Sequence, residues 1–252
     1  MASNASFDPF SQSFNLRLGD GTLFSLSLVD LDDFILYSLE ICINYAAQLG
    51  ASLLLLIVLA LLTKPEKRST PIFILNALSL ALNVTRNILQ CLYFTGPFSD
   101  TYAYFAQDYS RVPKSAYAES ITATVLTFLL LVSVELSLLL QTQVVCLTLR
   151  KVYRHAILAV SLLIALTATG FRLALCVENS RYIASLTYLV PLSWLSSATN
   201  ITTSISVFWF CAVFVTKLGF ALNQRRKLGL RRFGPMQIIF IMGCQTLTIP
   251  GI

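Results

Sequence analysis

Polar side chains recur at helical spacing inside the long apolar runs of this sequence. The first run carries them every four residues, at Glu40, Asn44, Gln48 and Ser52. The second run carries them every three or four residues, at Asn76, Ser79, Asn83, Arg86 and Gln90. The third run carries Glu119, Thr122, Thr127, Ser133, Glu135, Ser137 and Gln141. In the first two runs this spacing puts each set on one helix face. Because lipid cannot hydrogen-bond to polar groups, we expect those faces to look into a helix bundle or into water.

Two charged residues stand out among these polar positions. A charge near the middle of a bilayer costs on the order of 3 kcal/mol on insertion scales. Arg86 lies toward one end of its apolar run, and Glu135 lies about halfway along the third run. We predict that Arg86 faces an outer cavity and that Glu135 serves as an inner relay. The bland alternative for the neutral Asn and Ser positions is hydrogen bonding between helices.

The chain has little material for enzyme chemistry. Its one histidine, His155, lies at the edge of an apolar run, and no glycine-rich phosphate loop is present. We therefore expect neither an enzyme nor a bound metal or cofactor. The net charge of +6 is concentrated at helix ends, where it indicates membrane topology and contact with anionic lipid rather than nucleic-acid binding.

Composition and run lengths predict an all-α polytopic membrane protein. Hydrophobic residues make up 56% of the chain and the mean hydropathy is +0.73. Apolar runs of 18 or more residues are typical of membrane spans, and five complete ones lie at about 35–63, 71–94, 119–148, 156–178 and 199–223. A sixth run, 236–252, stops after 17 residues, so we expect the chain to be cut within a helix.

The loops between these runs predict the orientation. Lys64–Arg68, Arg150–Arg154 and Arg225–Arg232 hold 11 of the 18 basic residues and one acid, Glu66. Short basic loops stay on the cytoplasmic side, so we place the N-terminal tail, residues 1–34, outside. Asn4 begins an Asn-Ala-Ser sequence and is therefore a candidate glycosylation site in this tail.

Two outer segments carry further signals. Residues 13–28 alternate apolar and polar side chains around Gly19-Asp20-Gly21, which predicts a β-hairpin. The loop at about 95–118 is rich in aromatic residues: Phe98, Tyr102, Tyr104, Phe105, Tyr109 and Tyr117. Such residues either anchor helix ends at the headgroups or form a lid over an outer mouth, and the sequence leaves both readings open.

Four segments together resemble one receptor family. They are TPIFILN at Thr70–Asn76, VELSLLLQ at Val134–Gln141, RRKLGLRRF at Arg225–Phe233 and IMGCQTLTIP at Ile241–Pro250. In this order and spacing they resemble the fungal α-factor-type mating pheromone receptors, the class D G-protein-coupled receptors. The similarity spans nearly the whole chain.

The resemblance implies a fold and partners. It implies a seven-helix receptor in the plasma membrane, of which this chain holds five complete helices and part of the sixth. Such receptors bind a secreted peptide pheromone outside, activate a heterotrimeric G protein inside and form homodimers. The hairpin and first helix contribute to the dimer. That gives a role to the small-residue pair Ala46 and Gly50, which permits close helix approach.

The resemblance also implies roles for individual residues. Asn76 and Gln141 match a polar contact that responds to activation, and Pro250, one turn after Gln245, matches a hinge; with Glu135 they are the candidate switch. Arg86 stands where the best-known member has a pheromone-facing histidine. Gln48 stands where the family has an arginine, and Ala46 where it usually has glycine. Our candidate ligand contacts are Gln48, Arg86, Gln90, Tyr102, Tyr104, Tyr117, Glu119 and Thr122. The candidate G-protein contacts are Arg225, Arg226, Lys227, Leu228, Leu230, Arg231 and Arg232.

Two other functions compete with a signalling receptor. One is a truncated, non-signalling form that dimerises with the full receptor. The other is a small-solute transporter or channel, since helices with polar faces and a buried Glu135 would suit a pathway. Against the transporter, the first three apolar runs are not repeated in the last three, and no pair of broken helices is evident.

Overall fold

The computed structural model describes residues 12–148, 150–185 and 193–227. In chain order they form strands β1 (Ser13–Arg17) and β2 (Leu23–Ser27) and helices α1 (Leu28–Leu62), α2 (Pro71–Thr95), α3 (Thr101–Ala106), α4 (Lys114–Val145), α5 (Lys151–Ser185) and α6 (Ser193–Lys227). The predicted helical membrane fold with an N-terminal hairpin is therefore confirmed. The predicted sixth span, 236–252, lies outside the described residues.

Strands β1 and β2 pair antiparallel, with Ser13 opposite Ser27 and Arg17 opposite Leu23. The turn closes through two backbone bonds of 2.9 Å, from Leu18 N to Thr22 O and from Gly21 N to Leu18 O. Asp20 accepts hydrogen bonds from the backbone amide and the hydroxyl of Thr22, at 2.9 and 2.7 Å. Because both bonds favour the ionised carboxylate, they lower the pKa of Asp20.

Glycine at position 21 is required by the turn. Gly21 has φ +85°, a left-handed conformation that costs an L-residue about 1–2 kcal/mol. We expect Gly21→Ala to lower the stability of the hairpin by about 1 kcal/mol, measured as faster amide exchange across β1 and β2. Gly19→Ala is the matched control, because its new Cβ would lie 3.7 Å from Asp108 Oδ2, an ordinary contact. Equal effects at both positions would refute this role for Gly21.

Helix α1 follows β2 without a connecting loop. The hairpin ends at Ser27, and Leu28 N donates to Gln12 O at 2.9 Å as the helix begins. The helix therefore starts seven residues before the predicted boundary of 35 and includes the acidic residues Asp30, Asp32 and Asp33. The sequence placed the boundary at the edge of the apolar run, whereas the helical backbone continues into the polar segment.

Among the described residues, five helices are long and apolar enough to cross a membrane. They are Leu28–Leu62, Pro71–Thr95, Lys114–Val145, Lys151–Ala184 and Ser193–Lys217. Each contains the greater part of one predicted span. Helix α2 begins at Pro71, whose missing amide hydrogen costs nothing in the first turn of a helix.

The short helix α3 was not predicted from the sequence. It lies in the aromatic loop and ends at Ala106, and the next residue, Gln107, has a left-handed φ of 52°. Its Tyr102 hydroxyl donates to Arg17 O at 3.2 Å, so the loop contacts the hairpin. Phe34 of α1 packs against Tyr104 and Phe105, with ring centroids 4.4 and 5.5 Å apart. Periodicity could not reveal a helix of six residues, because it completes fewer than two turns.

The chain divides into two compact units. The first comprises Met1–Leu62 and Leu80–Thr127, and the second comprises Thr63–Ser79 and Phe128–Ile252. Helices α2 and α4 each contribute residues to both units. In the second unit α5 packs along α6 over small buried side chains, among them Ala165, Ala168 and Ser161.

Candidate functional site

Arg86 is the centre of a polar and aromatic cluster in the first unit. Its Nε donates to Thr127 Oγ1 of α4 at 2.9 Å, and its guanidinium carbon lies 5.6 Å from the ring centroid of Tyr45 on α1. Tyr45 in turn stacks with Phe94 at 6.2 Å. We call Tyr45, Arg86, Phe94 and Thr127 the Arg86 cluster. It joins α1, α2 and α4 around one half-buried cation.

The cluster fixes the guanidinium and leaves part of it available. A cation over an aromatic face gains about 0.5–2 kcal/mol, depending on how far it is desolvated. Within the described part of the chain, only Nε of the Arg86 guanidinium has a hydrogen-bond acceptor. The two terminal nitrogens can therefore donate to a ligand. The charge has no carboxylate opposite it, since the single ion pair among the described residues is Arg181–Glu178.

The aromatic residues of the outer loop form a second group in the same unit. Phe98 contacts Tyr93, Tyr109 and Tyr117, with ring centroids 5.5, 6.0 and 5.0 Å apart. Tyr102 and Tyr104 are 40% and 50% exposed. An outer loop with packed rings and two accessible tyrosines is suited to contact with a peptide, because aromatic side chains supply large contact area.

Not all predicted ligand contacts come together. Gln48 is exposed and donates to Asn44 Oδ1 at 3.1 Å on its own helix. Glu119 and Thr122 are also exposed, and the Thr122 hydroxyl donates to the backbone of Ala118 at 2.7 Å. Gln90 is half-buried one turn from Arg86. Of the predicted set, Arg86 is the residue with specific contacts to two other spans.

The first polar stripe is divided between two sides of α1. Ser52 is 6% exposed and accepts from Asn83 Nδ2 at 2.6 Å. Glu40, Asn44 and Gln48 are exposed instead. The half-buried side of α1 runs through Tyr45, Leu49 and Ser52, so a spacing of four drifted off that side over three turns.

Asn87 was not among the residues predicted from the sequence. It is 0% exposed, and neither its side-chain oxygen nor its nitrogen has a hydrogen-bond partner in the structure. It lies four residues after Asn83 and three before Gln90, so the helical spacing that picked out the neighbouring residues also fits Asn87. A buried amide without hydrogen bonds lowers the stability of the folded protein, so Asn87 is a destabilising position in the first unit.

The second unit contains a hydrogen-bonded network between α2 and α4. The Ser137 hydroxyl donates to Asn76 Oδ1 at 2.5 Å and accepts from Gln141 Nε2 at 3.0 Å. We call these three residues the Ser137 network. Asn76 and Gln141 were expected to contact each other, and the structure joins them through Ser137. A hydroxyl that donates and accepts at once makes the two amides depend on one side chain.

Glu135 is buried next to this network on α4. It is 2% exposed, and its Oε2 accepts from the Ser206 hydroxyl of α6 at 2.8 Å. Its Oε1 has no partner in the structure. Ser206 is 0% exposed and was not predicted as a site residue. Nearby, the Trp209 indole donates to Ser161 Oγ at 3.0 Å, which ties α6 to α5.

Comparison with known proteins identifies the family. The model of the family described as "Fungal pheromone mating factor STE2 GPCR" matches residues 7–252. This chain belongs to the STE2 family. The family match and the five apolar helices together establish a multi-pass membrane protein. The resemblance stated from the four sequence segments is confirmed.

Curated relatives in the STE2 family are similar over much of the chain. The chain is 26% identical to the "Pheromone P-factor receptor" of Schizosaccharomyces pombe, over 82% of this chain and 60% of that protein. It is 27% identical to the "Pheromone alpha factor receptor" of Lachancea kluyveri, over 98% of this chain and 58% of that protein. For the protein of the same name from Saccharomyces cerevisiae the values are 27%, 98% and 57%. The chain therefore spans less than two thirds of the length of these relatives.

Several of the predicted site residues lie outside the described residues. They are Asn4, Leu228, Leu230, Arg231, Arg232, Gln245 and Pro250. Arg225, Arg226 and Lys227 form the last described turn of α6, for which the backbone alone is described. Ala46 and Gly50 are exposed on α1, and a Cβ added at Gly50 would meet no atom within 4 Å.

The Ser137 network leads to a stability prediction. Ser137→Ala removes two hydrogen bonds, the one to Asn76 on α2 and the one from Gln141 on α4. We therefore expect the free energy of unfolding to fall by about 1–2 kcal/mol. The measurement is thermal unfolding of the purified protein in detergent. Ser133→Ala is the control, because Ser133 is equally buried but its hydroxyl donates to Leu129 O of its own helix at 2.9 Å. If both variants lose the same stability, the network does not join α2 to α4 energetically.

Proposed function

We propose that this chain acts as a G-protein-coupled receptor for a secreted peptide mating pheromone. In this proposal it sits in the plasma membrane with its N-terminus outside and transmits binding there to a heterotrimeric G protein inside. It acts without enzymatic chemistry of its own. The observation that carries the proposal is the match of the family model over residues 7–252. The names of the curated relatives, all pheromone receptors, point the same way.

The Arg86 cluster supports peptide binding from the outside. The guanidinium is oriented by Thr127 and Tyr45, and its terminal nitrogens are available to a ligand. The exposed rings of Tyr102 and Tyr104 lie in the same unit, on the loop that contacts the hairpin. A fixed donor and accessible aromatic rings are the combination that peptide-binding surfaces use for orientation and contact area.

The Ser137 network and Glu135 support a change of helix packing on binding. Both depend on single hydroxyl groups, those of Ser137 and Ser206, to join different helices. One unpaired oxygen of Glu135 shows that the described packing does not satisfy all buried polar atoms. A ligand shifts such a balance only by binding one packing better than the other.

The end of α6 and the exposed side of α1 are the proposed contact surfaces for the G protein and for a second copy of the chain. The basic residues Arg225, Arg226 and Lys227 at the end of α6, with Arg231 and Arg232, would present positive charge to the G protein. Leu228 and Leu230 would contact it through their apolar side chains. The exposed Ala46 and Gly50 would allow a second copy to approach α1 closely, which suits a homodimer. Membrane lipid covers the other apolar faces.

Ligand-induced nucleotide exchange tests the proposal. Vesicles containing this chain and a heterotrimeric G protein would be exposed to synthetic pheromone peptides of the α-factor and P-factor classes, with scrambled peptides as controls. A peptide of matching class should accelerate exchange at least several-fold over its scrambled form. Peptide-dependent solute flux without exchange would favour the transporter instead.

A non-signalling partner is the second candidate function. In this proposal the chain dimerises with a full-length receptor through the exposed small residues Ala46 and Gly50 of α1. Peptide binding without nucleotide exchange, combined with reduced signalling by a co-expressed full receptor, would select this function. Absence of both peptide binding and effect on a co-expressed receptor would reject both candidates.

A further inference from the structure

The first turn of α5 carries a cluster of cations. Arg150 and Lys151 are exposed and Arg154 is half-buried. The backbone bond from Arg154 N to Arg150 O, 3.1 Å long, fixes these residues on one helical turn. In a helix, positions 150, 151 and 154 share one side. We call Arg150, Lys151 and Arg154 the α5 basic cluster.

Among the described residues, no carboxylate pairs with this charge. The sequence contains no Asp or Glu between Glu135 and Glu178. Within residues 12–148, 150–185 and 193–227 the structure forms a single salt bridge, and it involves none of the three cations. The Nε of Arg154 is buried and has no hydrogen-bond partner in the structure. An anionic oxygen is the group that this cluster lacks.

Exposed apolar side chains lie beside the cluster. Val152 is 78% exposed and Tyr153 is 63% exposed, on the same helical turn as the cations. The membrane-spanning part of α5 starts at this turn. Tyrosine at a helix end is typical of the headgroup region, where its ring is in apolar surroundings and its hydroxyl is in water.

We propose that the α5 basic cluster binds the phosphate group of an anionic phospholipid in the membrane leaflet at the start of α5. Lipid fits better than an acidic protein surface, because Val152 and Tyr153 put this turn at the depth of the headgroups. Arg150 and Lys151 attract the phosphate as point charges, and Arg154 can turn its guanidinium toward it. The inference uses the basic-inside orientation and does not depend on the pheromone.

Lipid retention tests the proposal. The whole chain would be placed in nanodiscs of phosphatidylcholine alone, with phosphatidylserine, or with phosphatidylinositol bisphosphate, and bound lipid counted by native mass spectrometry. Each cation near a surface contributes about a fivefold gain in affinity for anionic lipid. Replacing Arg150, Lys151 and Arg154 together by glutamine should therefore weaken anionic-lipid retention by about a hundredfold.

The loop between α1 and α2 provides a matched control. Lys64, Lys67 and Arg68 are also three cations, but they include Glu66 among them, and Arg68 Nε is already bonded to Thr63 O at 3.1 Å. Because Glu66 offsets one charge and Arg68 is already engaged, their replacement by glutamine should reduce retention by about fivefold to twenty-five-fold, less than the hundredfold expected for the α5 basic cluster. Equal losses for both triples would overturn the proposal, since general surface charge would then explain retention.

Two further arms keep the test decisive. Soluble inositol trisphosphate should compete weakly, because it lacks the acyl chains held next to Val152 and Tyr153; full competition would mean a free phosphate site and would overturn the lipid proposal. Unchanged lipid retention in the triple variant, with lost G-protein coupling in phosphatidylcholine, would assign the cluster to protein docking instead. Should the triple variant unfold, Arg150→Gln with Lys151→Gln replaces it, with an expected loss of about twenty-five-fold.

Discussion

Alanine at position 86 is expected to weaken pheromone binding by about tenfold to a hundredfold. A hydrogen bond to a charged group contributes about 1.5–3 kcal/mol, which converts to this range of affinity. The side chain is available for this role because Thr127 and Tyr45 hold the guanidinium while its terminal nitrogens have no acceptor in the described part of the chain. Equilibrium binding of labelled peptide to membranes measures the effect.

Three further variants make the Arg86 result specific. Arg86→Lys keeps the charge but loses the planar geometry, so an intermediate loss is expected. Thr127→Val removes the hydroxyl that orients Nε and should cost less than Arg86→Ala. Arg111→Ala removes an exposed outer cation and should change affinity less than threefold. Unchanged affinity in Arg86→Ala, with normal surface expression, would remove Arg86 from the ligand site.

Replacements of Asn87 should change stability in opposite directions. Because both polar atoms of this fully buried amide lack a partner among the described residues, Asn87→Leu removes a penalty of about 1–3 kcal/mol and should raise the melting temperature. Asn87→Asp puts an acid in the same place, and a charge in a membrane interior costs on the order of 3 kcal/mol. Thermal unfolding of the ligand-free protein in detergent measures both variants.

Asn83 is the control for Asn87 on the same helix. It lies one turn away, and its amide donates to Ser52 Oγ at 2.6 Å. Asn83→Leu leaves that buried hydroxyl without its partner, so it should lower the melting temperature where Asn87→Leu raises it. If leucine destabilises both positions equally, Asn87 has a hydrogen-bond partner in the protein after all, and the prediction fails.

The sequence predicted the elements of the fold because they follow from local chemistry. Run length and hydropathy specify a membrane helix, since lipid demands an apolar surface and internal backbone bonds. The alternation of apolar and polar residues around Gly19-Asp20-Gly21 specified the hairpin. Glycine at position 21 adopts the left-handed backbone conformation of its turn at low cost. The helix starts were predicted less well, since α1, α4, α5 and α6 begin five to seven residues before the apolar runs that predicted them.

The contacts of the site were harder to predict, because they depend on how each helix is rotated about its axis. Helical spacing put Glu40, Asn44, Gln48 and Ser52 on one face, yet Ser52 alone is buried. The pairing of Glu135 with Ser206 joins residues 71 positions apart in the chain, and no periodicity connects them. Arg86 was identified from its charge, whereas its partners Tyr45 and Thr127 required the packed helices.

The direct passage from β2 to α1 has a mechanical consequence. Strand β2 ends at Ser27 and α1 begins at Leu28, so the hairpin is attached directly to the end of a 35-residue helix with no loop between them. A small tilt of α1 would therefore displace the hairpin, and a force on the hairpin would tilt or rotate α1. The Tyr102 hydroxyl is hydrogen-bonded to Arg17 O of the hairpin, so a displacement of the aromatic loop would be transmitted through the hairpin to α1.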